Sequence, residues 1–372
     1  MNSQLIRRRP AGFTLVELLT VILIIGILAG LITTAAIAAR KAAIIASIRI
    51  EIDQIEAAMN AYKEKNGDFP PDFFGVERND TVGVAARAEV VRHLRKAFPN
   101  YRPGSVSGNT GSDAFGRFIA DLVSMGYLPN SFSGGNYSDL DAYLNPATAI
   151  PFWLGGVPAD SGTDSSTKLM GFAANPRNPF DANPAASRKP KPLAFDETRL
   201  VCAEKIGNKD NYPFYHYIPE RTQTPYVYFR ARRDAASGKM EYAVSGGSGA
   251  TSIMPLYFSM SRVLNAPAGG DKDVAAPYLE EAWQAGNRNS FEGSPGGTTA
   301  HIRQWHKPTG VQVLCAGLDG IYGEVANPSN PATFRFTPSK DREDLAAGWG
   351  LMDADYDNLT NFLPGQIEDE MP

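Results

Sequence analysis

The chain has 372 residues, with 36 Lys and Arg against 40 Asp and Glu, a formal net charge of −4 at pH 7. That mild acidity excludes any global attraction to nucleic acid, and the length far exceeds what a membrane anchor alone requires. Glycine (35) and proline (27) run above ordinary usage but below disordered compositions, so short elements joined by long ordered loops are expected.

The N-terminal segment comes first in the chain and is also the most specific. Arg7-Arg8-Arg9 lead through Pro10-Ala11 to Gly12, and an apolar run then extends from Phe13 to Ala39. Only Thr14, Glu17, Thr20, Thr33 and Thr34 interrupt it. The run exceeds the about 7–15 apolar residues of a secretory signal peptide and the about 20 that cross a bilayer. Within it stands one carboxylate, Glu17, five residues after the glycine. A charge inside a membrane span is costly and calls for a functional reason. Arg7, Arg8 and Arg9 precede the span and are expected to stay cytoplasmic, which places everything after Ala39 across the inner membrane.

This arrangement resembles the N-terminal signal of type IV pilins and type II secretion pseudopilins. The resemblance implies cleavage between Gly12 and Phe13 by a membrane prepilin peptidase, followed by methylation of the new N-terminus at Phe13. It also implies that Glu17 pairs with the N-terminal amine of a neighbouring subunit. Such a pair in low dielectric acts as a register device, since other subunit steps leave a buried charge unmatched. Gly26 and Gly30 form a Gly-x-x-x-Gly pair, suited either to close helix approach or to local loosening of the helix.

Beyond Arg40-Lys41 the helix is expected to continue. Ile44, Ile48, Ile52, Ile55, Met59 and Tyr62 recur at steps of three and four and share one face. Arg49, Glu51, Asp53, Glu56, Lys63 and Glu64 are assigned to the opposite side. Asn66-Gly67 signals a C-cap and Pro70-Pro71 forbids continuation. One helix over about residues 13–65, near 80 Å at 1.5 Å per residue, follows. The chain thus divides into a leader (1–12), a transmembrane half-helix (13–39), an amphipathic half-helix (40–66) and a head (67–372).

In the head, Ala85–Phe98 reads as a helix. A second, capped by Ser112 or Asp113, runs to about Met125. Residues 130–200 read as a long ordered-loop insertion with a short apolar piece at Pro151–Val157. Tyr226–Ala231 and Met240–Val244 read as strands joined by a hairpin turn, and Val311–Ala316 as a third. Arg230-Ala231-Arg232-Arg233, the basic cluster of the head, reads as charge protecting a strand edge. Tyr212, Phe214, Tyr215 and Tyr217 suit either a ligand groove or, more often, edge packing.

Val311–Gly323 followed by the Asp-rich Asp353–Phe362 resembles the C-terminal part of the major pseudopilin, where an Asp-Gly loop binds calcium. That resemblance implies a structural calcium held by Leu318 (through its carbonyl), Asp319, Asp353, Asp357 and Asn358. The segment between Gly323 and Asp353 is longer than the family's short loop. Calcium takes 6–8 oxygens from such carboxylates, carbonyls and amides. Cys202 and Cys315 both fall on the disulfide-permissive side of the membrane, so a Cys202–Cys315 bridge is allowed; two small buried thiols are the alternative.

No catalytic set is visible, and no catalytic residue is assigned. His93, His216, His301 and His306 form no HExxH pair, and no phosphate-binding loop or Gly-x-Ser-x-Gly elbow occurs. The expected architecture is α+β and pilin-like: a long N-terminal α-helix, transmembrane in its first half, packed on a small antiparallel sheet with a large loop-rich insertion. The expected function is a non-enzymatic subunit of a type II secretion pseudopilus or type IV pilus-like filament. Its partners would be other pseudopilins, prepilin peptidase and an inner-membrane assembly platform, with no nucleic acid. The alternative is a membrane-anchored periplasmic binding module for a polysaccharide or secretion substrate that does not polymerise.

Overall fold

The computed structural model describes residues 14–109, 111, 113–159, 168–202, 214–233, 238–245, 253–260, 273–284, 301–323, 335–336 and 357–367. It divides into two compact units, Met1–Ser47 and Ile48–Pro372.

The first helix, α1, spans Leu15–Asn66 without interruption, 52 residues. No proline falls within it, and Ile, Ala and Leu dominate its sequence. It stops where the sequence requires. Gly67 takes φ +77° and donates its N–H to the Lys63 carbonyl at 2.7 Å, a left-handed cap. Pro70 and Pro71 follow.

In the second unit, Ile48, Ile52, Ile55, Met59 and Tyr62 are buried along one stripe of α1, as their spacing predicts. Two acidic residues assigned to the opposite side face the head instead. Glu51 pairs with Arg199 (2.6 Å) and accepts from the Tyr226 hydroxyl (2.6 Å); Glu56 pairs with Lys307 (2.6 Å). At about 100° per residue these positions flank the stripe rather than oppose it, within reach of long partners.

Helix α2 covers Thr81–Ala97 and begins earlier than its apolar pattern suggested, because Asp80 caps it by accepting from the Gly83 N–H (3.0 Å). Helix α3, Ala114–Ser124, is capped by Asp113, which accepts from Phe115 and Gly116 (both 3.1 Å). The loop-rich region that follows is not a surface ornament. Its short helix α4, Ala149–Gly155, is buried at every residue. Trp153 and Phe152 there pack with Phe73, Phe172 and Phe180 in one aromatic cluster. Burying each large aromatic side chain contributes about 1.5–3 kcal/mol.

The strands are short. In chain order they are β1 (Leu200–Cys202), β2 (Tyr215–Tyr217), β3 (Val227–Arg230), β4 (Arg232–Arg233), β5 (Met240–Glu241), β6 (Ala243–Ser245) and β7 (Ile253–Pro255). There follow β8 (Phe258–Ser259), β9 (Val274–Ala275), β10 (Tyr278–Gln284), β11 (His301–Trp305), β12 (Val311–Cys315), β13 (Arg335–Phe336) and β14 (Leu359–Thr360). The central sheet runs β14-β12-β3, antiparallel throughout, with Val313 opposite Tyr228 and Cys315 opposite Leu359. A second three-stranded sheet, β11-β10-β13, joins an antiparallel pair to one parallel pairing. The expected pairing of Tyr226–Ala231 with Met240–Val244 is not formed: β3 pairs with β12, and β5 pairs antiparallel with β4, Arg232-Arg233. The fold is therefore α+β: a long N-terminal helix, small antiparallel sheets and loop-rich connections.

The turn leaving α1 is tied to the central sheet by charge. Asp72, wholly buried, accepts from the backbone N–H groups of Phe74 (3.0 Å) and Arg230 (2.9 Å) and from the Arg232 guanidinium. Arg230, 6% exposed, donates to the Phe69 carbonyl (2.6 Å) and to Asp68 (3.0 Å). Glu89 on α2 lies 3.3 Å from Arg230 and 3.1 Å from Arg232. The expectation of solvent-exposed edge charges at Arg230 and Arg232 is thus corrected. Their partners come from two separate segments, the turn after α1 and α2, that no local pattern links. Phe73 sits between these contacts at φ +60°, a strained conformation for a bulky residue, and its ring stacks on Trp153.

Candidate functional site

Among the described residues, exposed large apolar side chains concentrate between Leu15 and Ile37; elsewhere there are Ile50, Val84, Val201 and Ile321. Leu15 is 78% exposed, and Ile32 and Ile37 are each 66% exposed. This stretch of α1 is long and apolar enough to cross a membrane, with a mean hydropathy of 2.8 over its best window and no residue of that window buried. Each Leu or Ile moved from water to an apolar phase gains about 1.5–3 kcal/mol, so together they favour lipid or helix neighbours by tens of kcal/mol. The polar groups inside the stretch are satisfied locally. The hydroxyls of Thr20, Thr33 and Thr34 donate to carbonyls three or four residues earlier, at Glu17 (3.0 Å), Ala29 (2.8 Å) and Leu31 (2.9 Å). Gly26 and Gly30 leave open space where a Cβ would stand.

Glu17 occupies the first turn of α1. Its Oε2 accepts from the Thr14 backbone N–H (2.9 Å) and hydroxyl (2.8 Å), while the Glu17 N–H donates to Thr14 Oγ1 (3.2 Å). This is a reciprocal capping box. Thr14-Leu15-Val16-Glu17 carries its sequence signature, a signal that the reading of Glu17 as an isolated charge passed over. In a single chain, Glu17 therefore closes the start of its own helix. Gly12 and Phe13 lie outside the described residues.

With the apolar stretch and Glu17 in place, comparison with known proteins becomes informative. Residues 7–33 match the prokaryotic N-terminal methylation motif. The match supports a type IV pilin-like or pseudopilin-type precursor. The motif implies processing by a prepilin peptidase and assembly into a membrane-associated polymer. With the apolar helix, it fits a membrane-anchored protein. No curated protein and no solved structure matches the chain.

The C-terminal loop is the second site singled out from sequence. After β12 the chain turns at Gly317, φ +59°, where a Cβ would come within 2.3 Å of the Asp357 carbonyl. Asp357 Oδ2 accepts from the N–H groups of Leu318 (2.6 Å) and Asp319 (3.0 Å). Asp319 Oδ1 accepts from Ile321 N–H (2.7 Å). Asn358 donates to the Tyr278 hydroxyl (2.9 Å) and the Tyr322 carbonyl (2.7 Å). The structure brings Leu318, Asp319, Asp357 and Asn358 into one clasp between β12 and β14; Asp353 lies outside the described residues. Asp357 Oδ1 and Asn358 Oδ1 are buried and have no hydrogen-bond partner among the described residues. Among the described residues, no group of three or more His, Cys, Asp or Glu is placed to hold a metal ion.

The remaining candidates resolve simply. Cys202 and Cys315 are not joined by a disulfide in this structure. They stand on different sheets, and complete burial pushes the Cys315 thiol up. Phe214 and Tyr217 are buried, the edge-packing alternative, and Tyr212 lies outside the described residues. His93 bonds to the Tyr62 hydroxyl (2.9 Å) and packs edge-on to Trp153. Burial and the nearby Arg230 charge lower its pKa to about 3. Burial lowers that of His216 to about 4. His306 stacks on Phe362 with ring centroids 4.3 Å apart. All three are packing groups. For His301 only the backbone, in β11, is described.

Proposed function

We propose that this chain is a structural subunit of a type II secretion pseudopilus or type IV pilus-like filament. It is cut after Gly12, methylated at Phe13 and assembled through the first half of α1. The observation carrying this reading is the methylation motif at residues 7–33, continuous with an exposed apolar helix that holds one carboxylate in its first turn. In the membrane-inserted monomer, Thr14 satisfies Glu17. On assembly, the Phe13 amine of a neighbouring subunit offers a full positive charge, a stronger partner in low dielectric than a hydroxyl and an amide. Exchange of a local cap for an intermolecular ion pair makes subunit register a condition for satisfying both charges. The basic Arg7–Arg9 keep the leader cytoplasmic and the head periplasmic. Mass spectrometry of the protein recovered from membranes tests the processing step. A chain beginning at N-methylated Phe13 supports it, and an intact Arg7–Gly12 leader contradicts it.

A structural calcium at the C-terminal clasp belongs to the same reading. It is favoured by the unpartnered Asp357 Oδ1 and Asn358 Oδ1 beside the Gly317–Gly320 turn. Leu318, Asp319, Asp353, Asp357 and Asn358 would hold the ion, which would fasten β14 to the end of β12. Calcium should raise the melting temperature of the wild-type protein and leave Asp357→Ala unchanged. A wild-type melting temperature indifferent to calcium removes this part of the proposal.

A further inference from the structure

Two clefts lie against the outer face of α2. One, about 480 Å³, lies between α2 and the start of α3; its wall includes Val84, Ala88, Arg92 and Arg95, and one carboxylate, Asp113, which is occupied in capping α3. The other, about 650 Å³, is lined by Arg95, Arg102, Arg117 and the Pro99–Ser105 loop. Arg95 and Ala114 line both, so the two adjoin. The second cleft has three arginines on its wall and no carboxylate. In a chain of net charge −4, this is a local inversion of sign.

The arginines differ in what they already do. Arg117 is committed: it donates to the carbonyls of Pro103 (3.2 Å) and Gly111. Arg87 likewise donates to the carbonyls of Val76 (3.0 Å) and Arg78 (2.6 Å). Arg92, Arg95 and Arg102 are exposed, and their side chains have no ion pair or hydrogen bond among the described residues. By contrast, Arg230 and Arg232, which line a third cleft that Arg92 also borders, are neutralised by Asp68, Asp72 and Glu89.

The wall is rigid. Asp121 on α3, wholly buried, accepts from the Tyr101 hydroxyl (2.7 Å) and Gly104 N–H (2.8 Å) through one oxygen. Through the other it accepts from the N–H groups of Val106 (3.2 Å) and Ser107 (2.7 Å) and from the Ser107 hydroxyl (2.7 Å). One carboxylate therefore fixes the loop that carries Arg102. The backbone position of Arg102 is thus fixed, while its exposed guanidinium stays free to meet a carboxylate with its planar fork.

We propose that this double cleft binds an acidic peptide segment of a partner protein, its carboxylates on Arg92, Arg95 and Arg102 and its apolar side chains on Val84 and Ala88. Arginine clusters recognise acidic motifs through forked, charge-assisted hydrogen bonds. Val84, 60% exposed, supplies the apolar contact beside them. A nucleic-acid strand fits less well, because stacking requires exposed aromatic rings and Tyr101 and Phe115 are buried.

The test uses the full-length protein in detergent micelles and a fluorescein-labelled peptide of alternating glutamate and leucine, read by fluorescence anisotropy. An oligothymidylate of equal charge serves as competitor. Saturable binding that Arg95→Ser/Arg102→Ser weakens by about tenfold, with melting temperature unchanged, is the expected result. Both residues are exposed and unpaired, so the variant retains its fold. Three results overturn the proposal: no saturable binding, equal binding by the variant, or competition by oligothymidylate as effective as that by unlabelled peptide.

Discussion

Acid should destabilise the head through two buried histidines, and the effect can be worked from their surroundings. His93 is 2% exposed and His216 1% exposed. Each is neutral in the fold, with pKa values of about 3 and about 4. In the unfolded chain both titrate near 6.5. As pH falls below that value the unfolded state takes up protons that the folded state refuses. Stability is therefore complete above about pH 6.5 and is lost toward pH 4 and below. From about pH 7 to about pH 5 each histidine removes about 2 kcal/mol, and the pair about 4 kcal/mol, a large share of a typical 5–15 kcal/mol stability. Carboxylate titration adds its own slope, so the informative quantity is a difference. Urea unfolding of the detergent-solubilised protein, followed by tryptophan fluorescence, is compared with that of His93→Gln/His216→Gln. The double variant should lose markedly less stability between the two pH values, whatever its absolute stability. Equal losses in the two proteins would refute the reasoning and show that both imidazoles take up protons in the fold as readily as in the unfolded chain.

Two further outcomes follow from the packing. Asp121→Ala strands a buried hydroxyl and several N–H groups, so the urea midpoint should report a loss of about 3 kcal/mol or more, and a loss below about 1 kcal/mol would mean the 101–107 loop is not held as described. Arg199→Met and Glu51→Gln should show a coupling of about 1–3 kcal/mol in a double-mutant cycle, since both side chains are largely buried where α1 meets the head; additive effects would deny the contact.

How much of this was legible in the sequence depends on the range of the interaction. The α1 stripe, the Gly67 stop and the Asp113 cap are written in steps of a few residues, and the structure places them as read. The interior of the head is assembled from distant pieces. Nothing local in Arg230-Ala231-Arg232 distinguishes an exposed edge from a buried ion cluster. The decision lies with Asp68, Asp72 and Glu89, more than a hundred residues earlier. Glu51 was assigned to the wrong side because a charge beside an apolar stripe looks solvated until Arg199 and Tyr226 are brought to it. The aromatic cluster around Trp153 was hidden by the glycine- and proline-rich composition of its surroundings. At the N-terminus, Glu17 stood out by its cost in an apolar run, while its Thr14 partner needed the capping-box spacing to be noticed.

In the proposed assembly step, Glu17 leaves its own Thr14 to pair with a neighbour's N-terminus. Shearing filaments from cells that express wild type or Glu17→Ala tests it most directly, with mass spectrometry confirming that both chains are processed. The variant is expected to be inserted, cleaved after Gly12 and present in membranes, yet absent from the sheared fraction that contains wild type. A processed Glu17→Ala chain found in filaments at the wild-type level would contradict it and leave the head as a tethered binding module.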